Sequence, residues 1–326
     1  MTAKAKYRLS LVGLSLGLFL TGWVALSLGP VALSFPLDPL GKKILFGLRL
    51  PRIILTIMVG AALAVTGVLF QGLFRNPLAD PYILGTSSGA ALGATIALFY
   101  EVNLKFFGLS ARPLFAFAGA LLATILVYFL GRRSNRPAVA IMLLAGIAVS
   151  AFFAAVTSLL LYFRREEMGK IIFWQMGGFS YARWAEVKMM LPYLIGAFLY
   201  SRSLAVELNL LLLGEEKAHQ LGLAVVHFQH RIIFTASLLV AAAVSVSGPI
   251  GFVGMVAPHM VRLFLGPDHR FLLPVSALAG GFLLLVADTL ARTQLSPVEL
   301  PVGVLTSFIG GPFYLYLLHK NRLAPE

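Results

Sequence analysis

The chain has no cysteine, and only 13 of its 326 residues are acidic. Without thiols there is no disulfide framework, no thiolate metal site and no thiol redox chemistry. Charge of either sign is scarce. Asp, Glu, Lys and Arg make up 12% of the chain, about half of the roughly 25% usual in soluble domains, and too little to cover a soluble surface of this size. There is no Gly-x-x-x-x-Gly-Lys-Ser/Thr loop to cradle a nucleotide and no His-Glu-x-x-His pair. The six histidines do not group with carboxylates at ligand spacing. An ordinary soluble enzyme, an ATPase and a metal-dependent hydrolase are all disfavoured.

What the chain does have is apolar length: 59% of its residues are hydrophobic. Its net charge of +13 does not mark a nucleic-acid surface, because the basic residues stand singly or in pairs between apolar runs, as membrane flanks do. Segments near the roughly 17 to 25 residues that cross a bilayer as helix run from Leu9 to Leu33, Ile53 to Phe74, Tyr82 to Tyr100, Pro113 to Leu130 and Ala138 to Phe163. Further segments run from Val187 to Tyr200, Ile232 to Val246, Ile250 to Leu265, Phe271 to Leu290 and Pro301 to Leu318. Ten spans put both termini on one side. The first is read as retained, since it outruns the roughly 7 to 15 apolar residues of a signal peptide. Ser247-Gly248-Pro249 breaks the seventh span from the eighth. Lys and Arg divide almost evenly between the two faces, so the positive-inside rule does not orient the chain and the outer face is unusually cationic.

Small residues recur at helical spacing: Gly85, Gly89 and Gly93; Gly60 and Ala64; Ala151 and Ala155. Such stripes predict close helix packing, because lipid supplies no hydrophobic drive for association. The longest inner loop holds Gly214-Glu215-Glu216-Lys217-Ala218-His219-Gln220-Leu221-Gly222, which predicts a short helix with acid at its N-terminus and a glycine stop. Leu213 and Leu221 give it apolar handles. Asn76 and Asp80 predict turn caps, His259 a helix-end histidine bonded to backbone, Glu299 the start of the tenth span, and Asp288 an ion pair with Arg292 four residues on.

Several spaced motifs resemble the permease subunits of importers for ferric siderophores, haem and cobalamin. They include Arg49-Leu50-Pro51-Arg52, Gln71-Gly72-Leu73-Phe74-Arg75-Asn76-Pro77-Leu78-Ala79-Asp80-Pro81 and Gly248-Pro249-Ile250-Gly251-Phe252-Val253-Gly254. Pro258-His259, Asp268-His269-Arg270, Glu299-Leu300-Pro301-Val302-Gly303 and Gly310-Gly311-Pro312 extend the likeness over nearly the whole chain.

The resemblance implies an all-α integral membrane bundle of about ten helices, both termini cytoplasmic, with type II ABC importer permease architecture, one permease domain over 1–326 with a coupling-helix region at 204–223. It implies a homodimer, two cytoplasmic ATPase subunits that carry the ATP and magnesium, and one periplasmic or lipid-anchored binding protein, with no cofactor on this chain and residence in the cytoplasmic membrane. By the same resemblance Gly214, Glu215, Ala218, Leu221 and Gly222 would contact the ATPase, and Arg49, Arg52 and Arg292 would dock the binding protein. Ser150, Thr157 and Ser158 in the fifth span, with Thr306 and Ser307 in the tenth, would line the pathway, and Val139 and Ala140 would form an apolar cytoplasmic gate. The cargo expected is a large iron chelate, siderophore or haem, with cobalamin as the alternative. From another class, an ion-coupled transporter or channel would use Asp288, Arg292, Glu299 and His259.

Overall fold

The computed structural model describes residues 2–322 apart from 30–37, 103, 107, 134, 135, 138, 296 and 297. Each of the ten apolar segments contains a helix among the described residues. In chain order, α1 is Ala3–Ser27; α2, Pro39–Ile44, runs through a π-helical turn at Leu45–Arg49 into α3, Leu50–Leu73. Next come α4 (Thr86–Phe99), α5 (Ala111–Gly131), α6 (Val139–Phe163) and the short α7 (Met168–Gln175). The α8 helix, Trp184–Ser203, bends by 56° into α9, Ala205–Leu211. The chain closes with α10 (Glu215–Gln220), α11 (Val225–Ser247), α12 (Val253–Leu265), α13 (His269–Thr293) and α14 (Val302–Arg322). Six of these are long and apolar enough to cross a membrane, the α8–α9 pair is a bent seventh candidate, and α4, α12 and α14 are shorter apolar helices.

The order of burial sets the architecture. The apolar stretch ending in α3 is 83% buried and that of α11 72%, whereas that of α1 is 6% buried. The bundle is therefore built around α3, α11 and α13, with α1 laid on the outside. The helices meet where glycine lets backbones touch. A Cβ on Gly60 would run into the Gly280 carbonyl across α3 and α13, and one on Gly67 into the Gly254 carbonyl across α3 and α12. Gly89 and Gly93 of α4 meet Gly119 and Phe115 of α5 in the same way.

Two small-residue expectations need correction. Gly85 is not part of the α4 face: it stands ahead of the helix at φ +75°, a left-handed conformation that suits glycine. Ala151 and Ala155 lie exposed on α6 rather than in a helix contact of the core. The sixth segment also proves longer than the sequence reading, since α8 continues through Pro192 to Ser203.

The break between α11 and α12 lies inside protein, as irregular backbone at membrane depth must. Gly248 has φ +66° and Phe252 φ +68°. The Tyr82 hydroxyl accepts from Ile250 N at 2.9 Å and donates to Ile250 O at 3.3 Å, satisfying both polar groups of a residue that neither helix can serve. Gly178 N donates to Ser247 O at 2.7 Å, closing the end of α11.

Candidate functional site

At one end of the bundle the 204–223 region holds α9, a turn, and the short helix expected between Gly214 and Gly222. Gly214 at φ +103° opens α10 and Gly222 at φ +90° follows it. Ala218 is fully buried, with Leu208, Leu211 and Leu223 also buried. It therefore anchors α10 to the chain's own core and offers no surface to another subunit, contrary to the contact role expected of it. Glu215 stays exposed while its Oε1 accepts from Gln229 Nε2 on α11 at 3.1 Å, so it ties α10 to the bundle and still presents charge outward. What α10 presents outward is Leu221, 60% exposed, beside Leu213 at 54% and Leu212, with Glu216, Lys217 and His219 exposed around them. Leu212, absent from the sequence-based set, joins the apolar surface because the turn before Gly214 leaves both leucines uncovered.

This surface is tied to the ends of the core helices. Asn209 of α9 donates to Asp268 Oδ1 at 2.8 Å and accepts from His269 N at 2.9 Å. Gln71 at the end of α3 receives Arg262 Nη2 at 3.0 Å. Asp268 pairs with Arg270 at 2.6 Å, and that hydrogen bond, with those from Asn209 and the Arg270 backbone, holds its carboxyl down to about 2. A depressed carboxylate stabilises the fold above its unfolded pKa and loses that contribution as pH falls through the folded value. Unfolding of Asp268→Asn followed in detergent between pH 5 and pH 2 should therefore show a flatter acid limb than the wild type; identical limbs would reject the role.

At the opposite end, the three arginines converge on the rim. Arg52 pairs with Asp288 at 2.9 Å and with Glu299 at 2.8 Å. Arg49 Nη1 donates to the carbonyls of Leu26 at 2.6 Å and Ser27 at 3.1 Å, and Arg292 Nη2 donates to the Ala25 carbonyl. These carbonyls belong to the last turn of α1, where orphan acceptors and the negative end of the helix dipole favour cations. Arg49 is 5% and Arg292 3% exposed, so they staple α1 to α3 and α13 rather than lie open to a partner. The expected Asp288–Arg292 pair is replaced by Asp288–Arg52, because Arg52 reaches the Asp288 carboxylate through Nε and Nη2 together. Glu299 serves as the second acid of Arg52, reached also by Ser180 Oγ at 3.4 Å, a tertiary role that its place before Leu300-Pro301 did not reveal.

The pathway residues separate into two groups. Thr157 and Thr306 are buried, and their hydroxyls return to their own helices, donating to Phe153 O at 2.8 Å and Gly303 O at 3.1 Å. Ser158 and Ser307 are exposed, and Ser150 accepts from Ser88 Oγ at 3.3 Å. Ser307 opens on a cleft of about 580 Å³ lined also by Tyr82, Ser87, Gln175 and Pro249, so the broken backbone forms part of its wall. At the start of α6, Val139 is half-buried and Ala140 exposed; Ser134, Asn135 and Ala138 of the same turn lie outside the described residues.

Asn76 and Asp80 cap their turn, accepting from Leu78 N at 2.9 Å and Tyr82 N at 2.7 Å. His259 sits within α12 with its ring edge-on to Phe313 and its buried Nδ1 unbonded, not at a helix end on a backbone group. Gly85-Thr86-Ser87-Ser88-Gly89 has the spacing of a nucleophile elbow centred on Ser87, but it begins a bundle helix and, among the described residues, no strand leads into it. Among the described residues no three His, Asp or Glu side chains group as a metal site.

Comparison with known proteins assigns this architecture. Residues 8–320 match the FecCD transport family. The chain is 44% identical over 302 residues to the cobalamin import system permease BtuC of Halobacterium salinarum, covering 92% of this chain and 80% of the relative. It is 43% identical to the hemin transport system permease HmuU of Yersinia pestis, covering 84% and 83%. A solved metal-chelate type ABC transporter in an inward-facing conformation superposes with a TM-score of 0.85 at 36% identity, over 95% of this chain and 98% of that one. These findings, with the apolar helices, replace the ion-coupled carrier reading: the chain belongs to the FecCD transport family and is a multi-pass inner-membrane permease of an ABC importer.

Proposed function

We propose that two copies of this chain form the pore through which a large iron chelate, siderophore or haem, enters the cell, driven by ATP and magnesium held on two separate ATPase subunits. The observation that carries this reading is α10: a short helix bolted to the core through Ala218 and the Glu215–Gln229 bond, which turns Leu213 and Leu221 outward among charges. An ATPase seated there would move α9, Asn209 and the turn at Asp268 together. Pairing of two copies is supported by the exposed small residues of α6, including Ala151, Ala155 and Ser158, and by the exposed Val304 and Ser307 of α14. Acidic patches on a binding protein would meet the exposed Lys42, Lys43 and Arg183 beside the arginine rim.

The test is affinity purification from native membranes, with mass spectrometry of what accompanies the chain. We expect a second copy and an equimolar Walker-type ATPase, and at least a tenfold loss of that ATPase in the Leu213→Asp, Leu221→Asp double variant with the protein still monodisperse. Full retention of the ATPase by that variant would sink the α10 assignment. Cobalamin is the second reading, favoured by the halobacterial relative. Uptake of haem, a ferric siderophore and cobalamin into the same ATP-loaded proteoliposomes separates the cargoes.

A further inference from the structure

Between α1, α12, α13 and α14 lies a groove of about 610 Å³ whose lining includes Gly13, Met260, Phe264, Ala279, Phe282 and Ile309 and no charged side chain. Its one threonine, Thr306, already has its hydroxyl on Gly303 O, so the groove wall makes no polar demand on an occupant at that point. Along α13 the groove extends from Val275 to Leu290, about 22 Å of helix at about 1.5 Å per residue. That is more than half of the roughly 30 Å hydrocarbon core. A volume of this size drawn out over that length is a slot that suits a flexible chain.

One end of the slot is cationic. Lys6 stands one helical turn before Ser10, which lines the groove, and its Nζ lies 6.0 Å from the centre of the Phe264 ring, another lining residue. Lys4 and Arg8 are exposed on the same two turns of α1, which carry no acidic residue, and among the described residues the ion pairs involve none of the three. We propose that this groove binds one anionic phospholipid, its acyl chain lying along α13 and its phosphate on the Lys6 ammonium. The site pairs an uncharged slot with a basic mouth. Basic residues beside a membrane attract anionic headgroups, and a lysine stem can lie along apolar surface while its head stays with polar groups.

Native mass spectrometry of the full chain in detergent, with added palmitoyl-oleoyl phosphatidylglycerol or phosphatidylcholine, tests this. We expect one phosphatidylglycerol per chain, retained at least tenfold better than phosphatidylcholine. Lys6→Gln should cut that preference about fivefold, and Lys6→Arg should restore it, each charge contributing about 1 kcal/mol at the surface. Ala279→Trp, and independently Ile309→Trp from the opposite wall, should abolish retention of both lipids while the melting temperature holds; Ile309 is exposed, so its replacement leaves the core intact. Equal retention of the two lipids, or unchanged retention in a folded Ile309→Trp, would overturn the proposal. So would a Met260→Cys disulfide between two copies in native membranes, which would put a second protein copy over the groove.

Discussion

Asp288→Ala should cost about 3–5 kcal/mol of stability, seen as loss of monodisperse protein or a steep fall in melting temperature in mild detergent. The Asp288 side chain is 2% exposed, and its carboxylate takes two nitrogens of the Arg52 guanidinium. Removing it leaves the buried Arg52 guanidinium with one of its two carboxylates, Glu299, and close to the cations Arg49 and Arg292. Glu299→Gln should cost far less, about 1 kcal/mol, because that carboxylate is 28% exposed and water replaces part of what it gives. The double variant Arg52→Met, Asp288→Leu should be better tolerated than Asp288→Ala alone, since removing a buried pair together avoids stranding a charge. Wild-type stability in Asp288→Ala would show that the rim does not depend on this pair.

The second large effect belongs to Gly67. In Gly67→Val the new Cβ would enter the Gly254 carbonyl, a backbone atom that no rotamer change can move aside, so α3 and α12 must separate. Overpacking that side chains can absorb costs about 1–3 kcal/mol; here the crossing itself is lost, and little folded protein should be recovered by size-exclusion chromatography of a fluorescent fusion. Gly22→Val is the control, because nothing lies within 4 Å of a Cβ at that position. Equal folded yields for the two would refute the packing account.

The ten helices were legible because each is an apolar run bounded by charge, Gly or Pro, and lipid imposes helix on any such run that spans it. The α10 helix was legible too, from acid after Gly214 and the stop at Gly222. Its orientation was not: in a six-residue helix periodicity is too short to show that Ala218 faces the core. The rim was the least legible part. Arg52 and Asp288 are 236 positions apart, and the i, i+4 spacing of Asp288 and Arg292 suggested a local pair where the fold makes a distant one. Phe252 at φ +68° gives no warning in sequence, since a bulky residue rarely takes that conformation; the surrounding helices impose it.

The lightly buried α1 has a consequence for how the chain is made. Its arginine clamp at Arg292 is 267 residues downstream of the Ala25 carbonyl it holds. At about 5–20 residues per second, translation takes roughly 13–50 s to cover that distance. During this interval α1 must persist in the bilayer without α13, the helix it later packs on, and its largely lipid-facing surface suits it to waiting. Arg49, only 23 residues past Leu26, emerges early enough to pin the end of α1 to the start of α3. The first hairpin of the nascent chain can thus be fastened at one end before the rest of the bundle exists.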